Sequence, residues 1–183
     1  MEQNQKQANP GPLGLLGFGL TTILLNLANA GIVDLTVVIL AMGIALGGLA
    51  QIIAGVLSFK QGKTFGGTAF TAYGFFWLSF VIIKVGLPNT NPADLTSLGF
   101  YLLLWGVFTT FMFIGTLKHN TISKLVFGSL ALLFYLLAIG DFTGITLITR
   151  IAGVVGILTG LFATYDAVGQ IVNEEYGRTV LPL

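Results

Sequence analysis

Residues 12–30 read PLGLLGFGLTTILLNLANA and carry no ionisable side chain. A helix rises ~1.5 Å per residue, and about 20 mainly apolar residues cross the hydrocarbon core of a bilayer. This run therefore predicts a membrane span. Its flanks agree with that reading. Asn9-Pro10-Gly11-Pro12 precedes it, and Pro12 suits the first turn of a helix, where a missing N–H costs nothing. Gly31 to Asp34 breaks the pattern at the other end.

Working outward, residues 35–59, 65–87, 98–117, 122–140 and 145–172 repeat the signal. The separators carry turn chemistry: Lys60-Gln61-Gly62-Lys63, Pro88-Asn89-Thr90-Asn91-Pro92, Lys118-His119-Asn120, and residues 141–144. The expected fold is an all-α polytopic membrane protein with six transmembrane helices. A polar tail (1–8), a transmembrane domain (9–173) and a short closing tail (174–183) make up the chain. The polar start MEQNQKQANPGP lacks the basic and apolar regions of a signal peptide, so the first span is expected to be retained.

Composition enforces the same conclusion. Of 183 residues 55% are hydrophobic and 8% charged, against roughly 25% charged in soluble domains. Mean hydropathy is +0.91. So few charges cannot cover a water-facing surface, and the bilayer must be the solvent. A net charge of +1 supplies no basic stripe, so no nucleic-acid partner is expected. There is no cysteine and one histidine, His119. No metal site, no cofactor and no enzymatic cluster of acids and bases is expected.

Cations orient the bundle. Lys6, Lys60, Lys63, Lys118, Lys124 and Arg178 fall on one side of a six-span topology, and Lys84 and Arg150 on the other. The positive-inside rule then places both termini in the cytoplasm of a cell-membrane protein. The 25 glycines, including Gly43-x-x-x-Gly47 and Gly156-x-x-x-Gly160, read as faces where helix backbones approach closely within the bundle.

Chemistry inside the spans rests on neutral polar groups. Phe18, Thr22 and Asn26 recur every four residues and share a helical face. Gln51 sits beside the small residues Ala54 and Gly55, and Thr71 and Tyr73 lie in the third span. Such groups either tie helices together or line a wet path. Asp166 is the acidic side chain furthest inside a span, read either as interfacial, with Arg178 as partner, or as a proton-coupling group. The amides at the start of the first helix could attract a carboxylate, or could simply begin a helix at the interface.

One stretch goes further. NPGPLGLLGFGLTTILLNLANAG, from Asn9 to Gly31, resembles the signature helix of the acetate uptake transporter family, the acetate/succinate permeases of bacteria, archaea and fungi. The resemblance continues through AMGIALGGLAQIIAG, KTFGGTAFTAYGFFWLS, LLLWGVFTTFMFIGTLK and NEEYGRTVLPL, essentially the whole chain from Asn9 onward. It departs at Gly11, where alanine is usual, and at Asp166, where a neutral residue is expected.

The resemblance implies a homohexamer of six-helix protomers, each with its own pathway for acetate or a similar small carboxylate, including succinate. It implies a constriction of Phe18 (in LGFGL), Tyr73 (in FTAYG) and Leu130 (in FGSLALL). It further implies that Ala163 (in LFATY) affects substrate size and that Asn9 and Pro10 take part in recognition. Thr22, Asn26, Gln51 and Thr71 join them as candidate substrate contacts. Anion channel and proton-coupled permease both remain open, as does a non-transporting sensor or assembly protein.

Overall fold

The computed structural model describes residues 7–183. Residues 1–6, most of the expected polar tail and including Lys6, lie outside the described residues. Among the described residues six helices are long and apolar enough to cross a membrane. We number them α1 (Gly11–Asn29), α2 (Val37–Lys60), α3 (Thr64–Val85), α4 (Leu95–Thr116), α5 (Thr121–Thr143) and α6 (Thr146–Tyr176). Apolar side chains cover the outside: Leu104 and Phe111 on α4 are each 69% exposed, which water would not tolerate and lipid does. The molecule is a multi-pass membrane protein.

Several helix ends have a local cause. Pro12 occupies the first turn of α1. The Asp94 carboxylate accepts from Ser97 N–H at 2.9 Å and from the Ser97 hydroxyl at 2.6 Å, starting α4 three residues before the expected 98. Asn120 caps α5 in the same way through Ser123 N–H at 2.8 Å. Gly144, at φ 68°, ends α5 in the left-handed conformation that glycine adopts without strain. The expected break at 141–144 is thus narrower, because Asp141 and Thr143 remain helical.

Packing follows the glycines. α1 lies along α6, α6 along α5, α5 along α4, and α2 along α3. On α6, a Cβ at Gly160 would sit 2.6 Å from the Gly19 carbonyl oxygen, and one at Gly156 would overlap the Asn26 side chain. Both small-residue faces anticipated from the sequence are filled from within the protomer, since Gly47 of α2 receives the Trp77 ring.

Within α2 the stretch Gly43–Ala50 widens into a π-helix. Such bulges displace a carbonyl from the regular ladder. Here the Leu46 carbonyl oxygen presses on α1, only 2.5 Å from where a Cβ of Gly17 would be. The Gly47 carbonyl accepts instead from the Gln51 side-chain amide at 2.7 Å.

Candidate functional site

Three cavities follow one another along the bundle interior. The first, about 170 Å³, lies where α1 begins and α6 nears its end, and Gln51, His119, Ser123, Asp166 and Gln170 supply its polar lining. The second, about 30 Å³, is enclosed by mainly apolar side chains with Thr22, Asn26 and Trp77. The third, about 400 Å³, lies toward the opposite end and is lined by Asn29, Asp34, Lys84, Asp141 and Thr149 among others.

Shared lining residues define the partitions. Phe18, Tyr73 and Leu130 line both the first and second cavities, so they form the septum between them. Each is at most 7% exposed. The Phe18 and Tyr73 ring centroids lie 6.1 Å apart at 47°. Leu25, Phe76 and Leu137 line both the second and third cavities and form another septum.

Tyr73 is held in place rather than free to swing. Its hydroxyl is 2.9 Å from the Thr109 hydroxyl, which in turn donates to the Trp105 carbonyl at 2.7 Å. Its ring also packs against Trp105, Phe108 and Phe127. The septum is therefore braced by α4, an element that contributes no residue to it.

Ser123, Asp166 and Gln170 of the first cavity form a connected network that reaches Asn9. Asn9 Nδ2 donates to Gln170 Oε1 at 2.9 Å, and Gln170 Nε2 donates to Asp166 Oδ1 at 2.9 Å. Ser123 Oγ donates to Asp166 Oδ2 at 3.3 Å. Asp166 is thus buried, at 2% exposure, with amide and hydroxyl partners rather than Arg178.

The candidates from the sequence divide. Phe18, Tyr73, Leu130, Thr22, Asn26 and Gln51 come together along the cavity series. Asn9 and Pro10 sit at its threshold, where Asn9 Oδ1 accepts from Gly11 N–H at 3.0 Å and Pro10 caps α1. Thr71 lies at the α2–α3 contact against Gly55, outside the three cavities. Ala163 is fully buried in the core behind the septum and lines none of them.

Sequence reasoning missed the partition of Leu25, Phe76 and Leu137, and also Trp77. Apolar residues of these types fill every span, and no spacing distinguishes those that face a cavity. Several buried polar atoms have no hydrogen-bond partner: Thr21 Oγ1, Thr22 Oγ1, Gln51 Oε1, Thr71 Oγ1 and Trp77 Nε1. Leaving one unsatisfied costs about 1–3 kcal/mol. Groups that line a pathway recover this when water or a polar solute occupies it.

Comparisons with known proteins agree with this architecture. The sequence matches the GPR1/FUN34/yaaH family over residues 1–182. The succinate-acetate/proton symporter SatP of Escherichia coli (strain K12) is 55% identical over 184 residues, spanning 98% of this chain and 97% of its own length. Acetate permease A of Emericella nidulans is 34% identical, spanning 98% of this chain and 66% of its own length. The solved structure of the bacterial acetate channel SatP aligns with a TM-score of 0.94 at 55% identity, covering 97% of this chain and 99% of that one. Six apolar spans around a partitioned interior, with matches running nearly end to end, establish that the chain belongs to the GPR1/FUN34/yaaH family.

Proposed function

We propose that this protein moves acetate, and with it other small monocarboxylates or succinate, across the plasma membrane through the cavity series inside each protomer. The observation that carries the reading is the linear order of three cavities interrupted by the Phe18–Tyr73–Leu130 septum. A series of interior cavities with a narrow apolar neck suits a solute that has one methyl and one carboxylate. Phe18 and Leu130 pack the methyl group, while Gln51 and Thr22 replace water around the charge. Names of the relatives support the substrate class: a succinate-acetate/proton symporter, an acetate permease and an acetate channel.

Residues 9–173 act as the transmembrane unit, with the tails 1–8 and 174–183 at its cytoplasmic side. The cation distribution supports this orientation, with Lys60, Lys63, Lys118, Lys124 and Arg178 toward the end where α1 begins. Protomers assemble as a homohexamer, each with its own pathway. Asn9 and Pro10 shape the cytoplasmic threshold, Asn26 shapes the wall of the second cavity, and Thr71 and Ala163 act from outside the lining.

Acetate flux into proteoliposomes, under imposed voltage and imposed pH gradients separately, tests the reading. Flux driven by voltage alone identifies an anion channel. Flux that requires an inward proton gradient and ignores voltage identifies electroneutral symport. Background flux under both conditions would overturn transport in favour of a sensor or assembly role.

A further inference from the structure

One cavity stands apart from the interior series. A groove of about 330 Å³ opens where α5 begins, and it shares no lining residue with the three cavities above. Two faces of α5 account for this. Ser123, Val126, Phe127 and Leu130 line the interior, whereas Lys124, Leu125, Gly128 and Ser129 line the groove. Phe113 of α4 and Phe162 of α6 form its walls, and Leu125 is 42% exposed. A Cβ at Gly128 would stand 3.2 Å from the Phe113 ring, so glycine there keeps the groove deep.

Its polarity is graded. Thr121 and Lys124 lie in the first turn of α5, at the mouth, and Lys124 is half-buried. Ser129 lies ~12 Å deeper along the helix, where its hydroxyl donates to the Leu125 carbonyl and accepts from Thr159. Below the mouth the groove is therefore apolar or already satisfied. No carboxylate lines it, so Lys124 is its one ionisable group.

We propose that this groove holds an anionic phospholipid, its phosphate against Lys124 and Thr121 and its acyl chain between Phe113 and Phe162. The orientation read above enters only in assigning the lipid to the cytoplasmic leaflet, where anionic lipids meet basic groups at the ends of spans. Depth and charge both favour this occupant. A lipid brings its phosphate to the height of the first helical turn and its chain to the apolar depth, with no second molecule to assemble. A second copy of the chain would have to bring an acid of its own to Lys124. The lipid also steadies the first turn of α5, whose inner side presents Ser123 to Asp166 at 3.3 Å.

Native mass spectrometry of the full chain in mild detergent reads the site without reference to transport. Phosphatidylglycerol and phosphatidylcholine with the same acyl chains are titrated against wild type, Lys124→Gln and, as a control on the same side of the membrane, Lys118→Gln. Wild type and K118Q should retain phosphatidylglycerol roughly fivefold better than phosphatidylcholine, and K124Q should lose that preference. Equal retention of the two lipids by wild type would overturn the site, whether or not K124Q folds. A smaller oligomer in K124Q with unchanged lipid retention would overturn it too, giving the groove to a neighbouring copy. In proteoliposomes K124Q should carry severalfold less acetate than wild type when phosphatidylglycerol is present, and match it in phosphatidylcholine alone. Equal flux in both membranes would overturn the link from the lipid to Ser123 and Asp166. Background flux from wild type in both, with lipid preference intact, would overturn the transport reading and support the site.

Discussion

The hydroxyl groups of Tyr73 on α3 and Thr109 on α4 meet at 2.9 Å, in one of the side-chain hydrogen bonds that tie these two helices. The backbones of α3 and α4 stand apart, and large side chains bridge them: the rings of Tyr73 and Phe76 against Trp105, and the Ser79–Tyr101 hydroxyl pair at 2.7 Å. The septum therefore depends on a brace outside the cavity series. Thr109→Val removes that brace and keeps the side-chain shape. It should cost about 1 kcal/mol of stability and let the Tyr73 ring move, raising flux of carboxylates larger than acetate relative to acetate. Competition uptake assays check the ratio; thermal unfolding in detergent checks the stability.

Gly160 of α6 and Gly19 of α1 bring two backbones into contact. A Cβ at Gly160 would stand 2.6 Å from both the Gly19 carbonyl oxygen and Ile23 Cγ1. Gly160→Ala should destabilise the protein by about 1–3 kcal/mol through overpacking. Gly66→Ala is the contrast, because its nearest neighbour would be 3.5 Å away at Ser58 Oγ. Melting temperatures of the two variants, compared by differential scanning fluorimetry, should separate, with G66A close to wild type.

Asp166 places a carboxylate in the wall of the first cavity, bonded to Gln170 and Ser123. His119, from the turn before α5, is the ionisable group facing it there; α1 has none, and Lys124 of α5 lies on a different cleft. When ionised, Asp166 opposes an entering anion, and protonation removes that opposition. Acetate flux measured at fixed voltage should therefore rise as the pH on this side falls. Asp166→Asn should give high flux at neutral pH with a flatter pH profile. An unchanged profile in D166N would leave Asp166 with a purely structural role.

Asp94 caps α4 from the α3–α4 loop, outside the spans. The Ser97 hydroxyl and backbone N–H hold its carboxyl below the usual carboxylate range. A group depressed in the folded state contributes stability above its unfolded pKa and loses it as pH falls through the folded value. Thermal stability should therefore decline as pH drops below about 4. Asp94→Asn, which can still cap but cannot titrate, should show a shallower decline in the same melting series.

The six spans were legible because the signal is local: a bilayer demands length and apolarity, and residues 12–30 satisfy both without reference to any other helix. The caps were equally local once seen, since Asp94 and Ser97 lie three residues apart. Resemblance to a known family brought Phe18, Tyr73 and Leu130 together, and the structure sets them in one septum. Rotation of each helix about its axis was not legible. A span that is apolar all round has no polar face to say which side looks inward.

That rotation decided the rest. It turned Thr71 toward Gly55 and buried Ala163 in the core, while Trp77 came to line the second cavity. It also seated Asn26 against Gly156 and assembled Leu25, Phe76 and Leu137 from three helices into a second partition. The sequence by itself determined that the chain spans a membrane six times, since hydropathy and length act on each segment alone. Only the tertiary structure decided which side chains face the interior, because that choice is made by backbones closing on glycines from other helices.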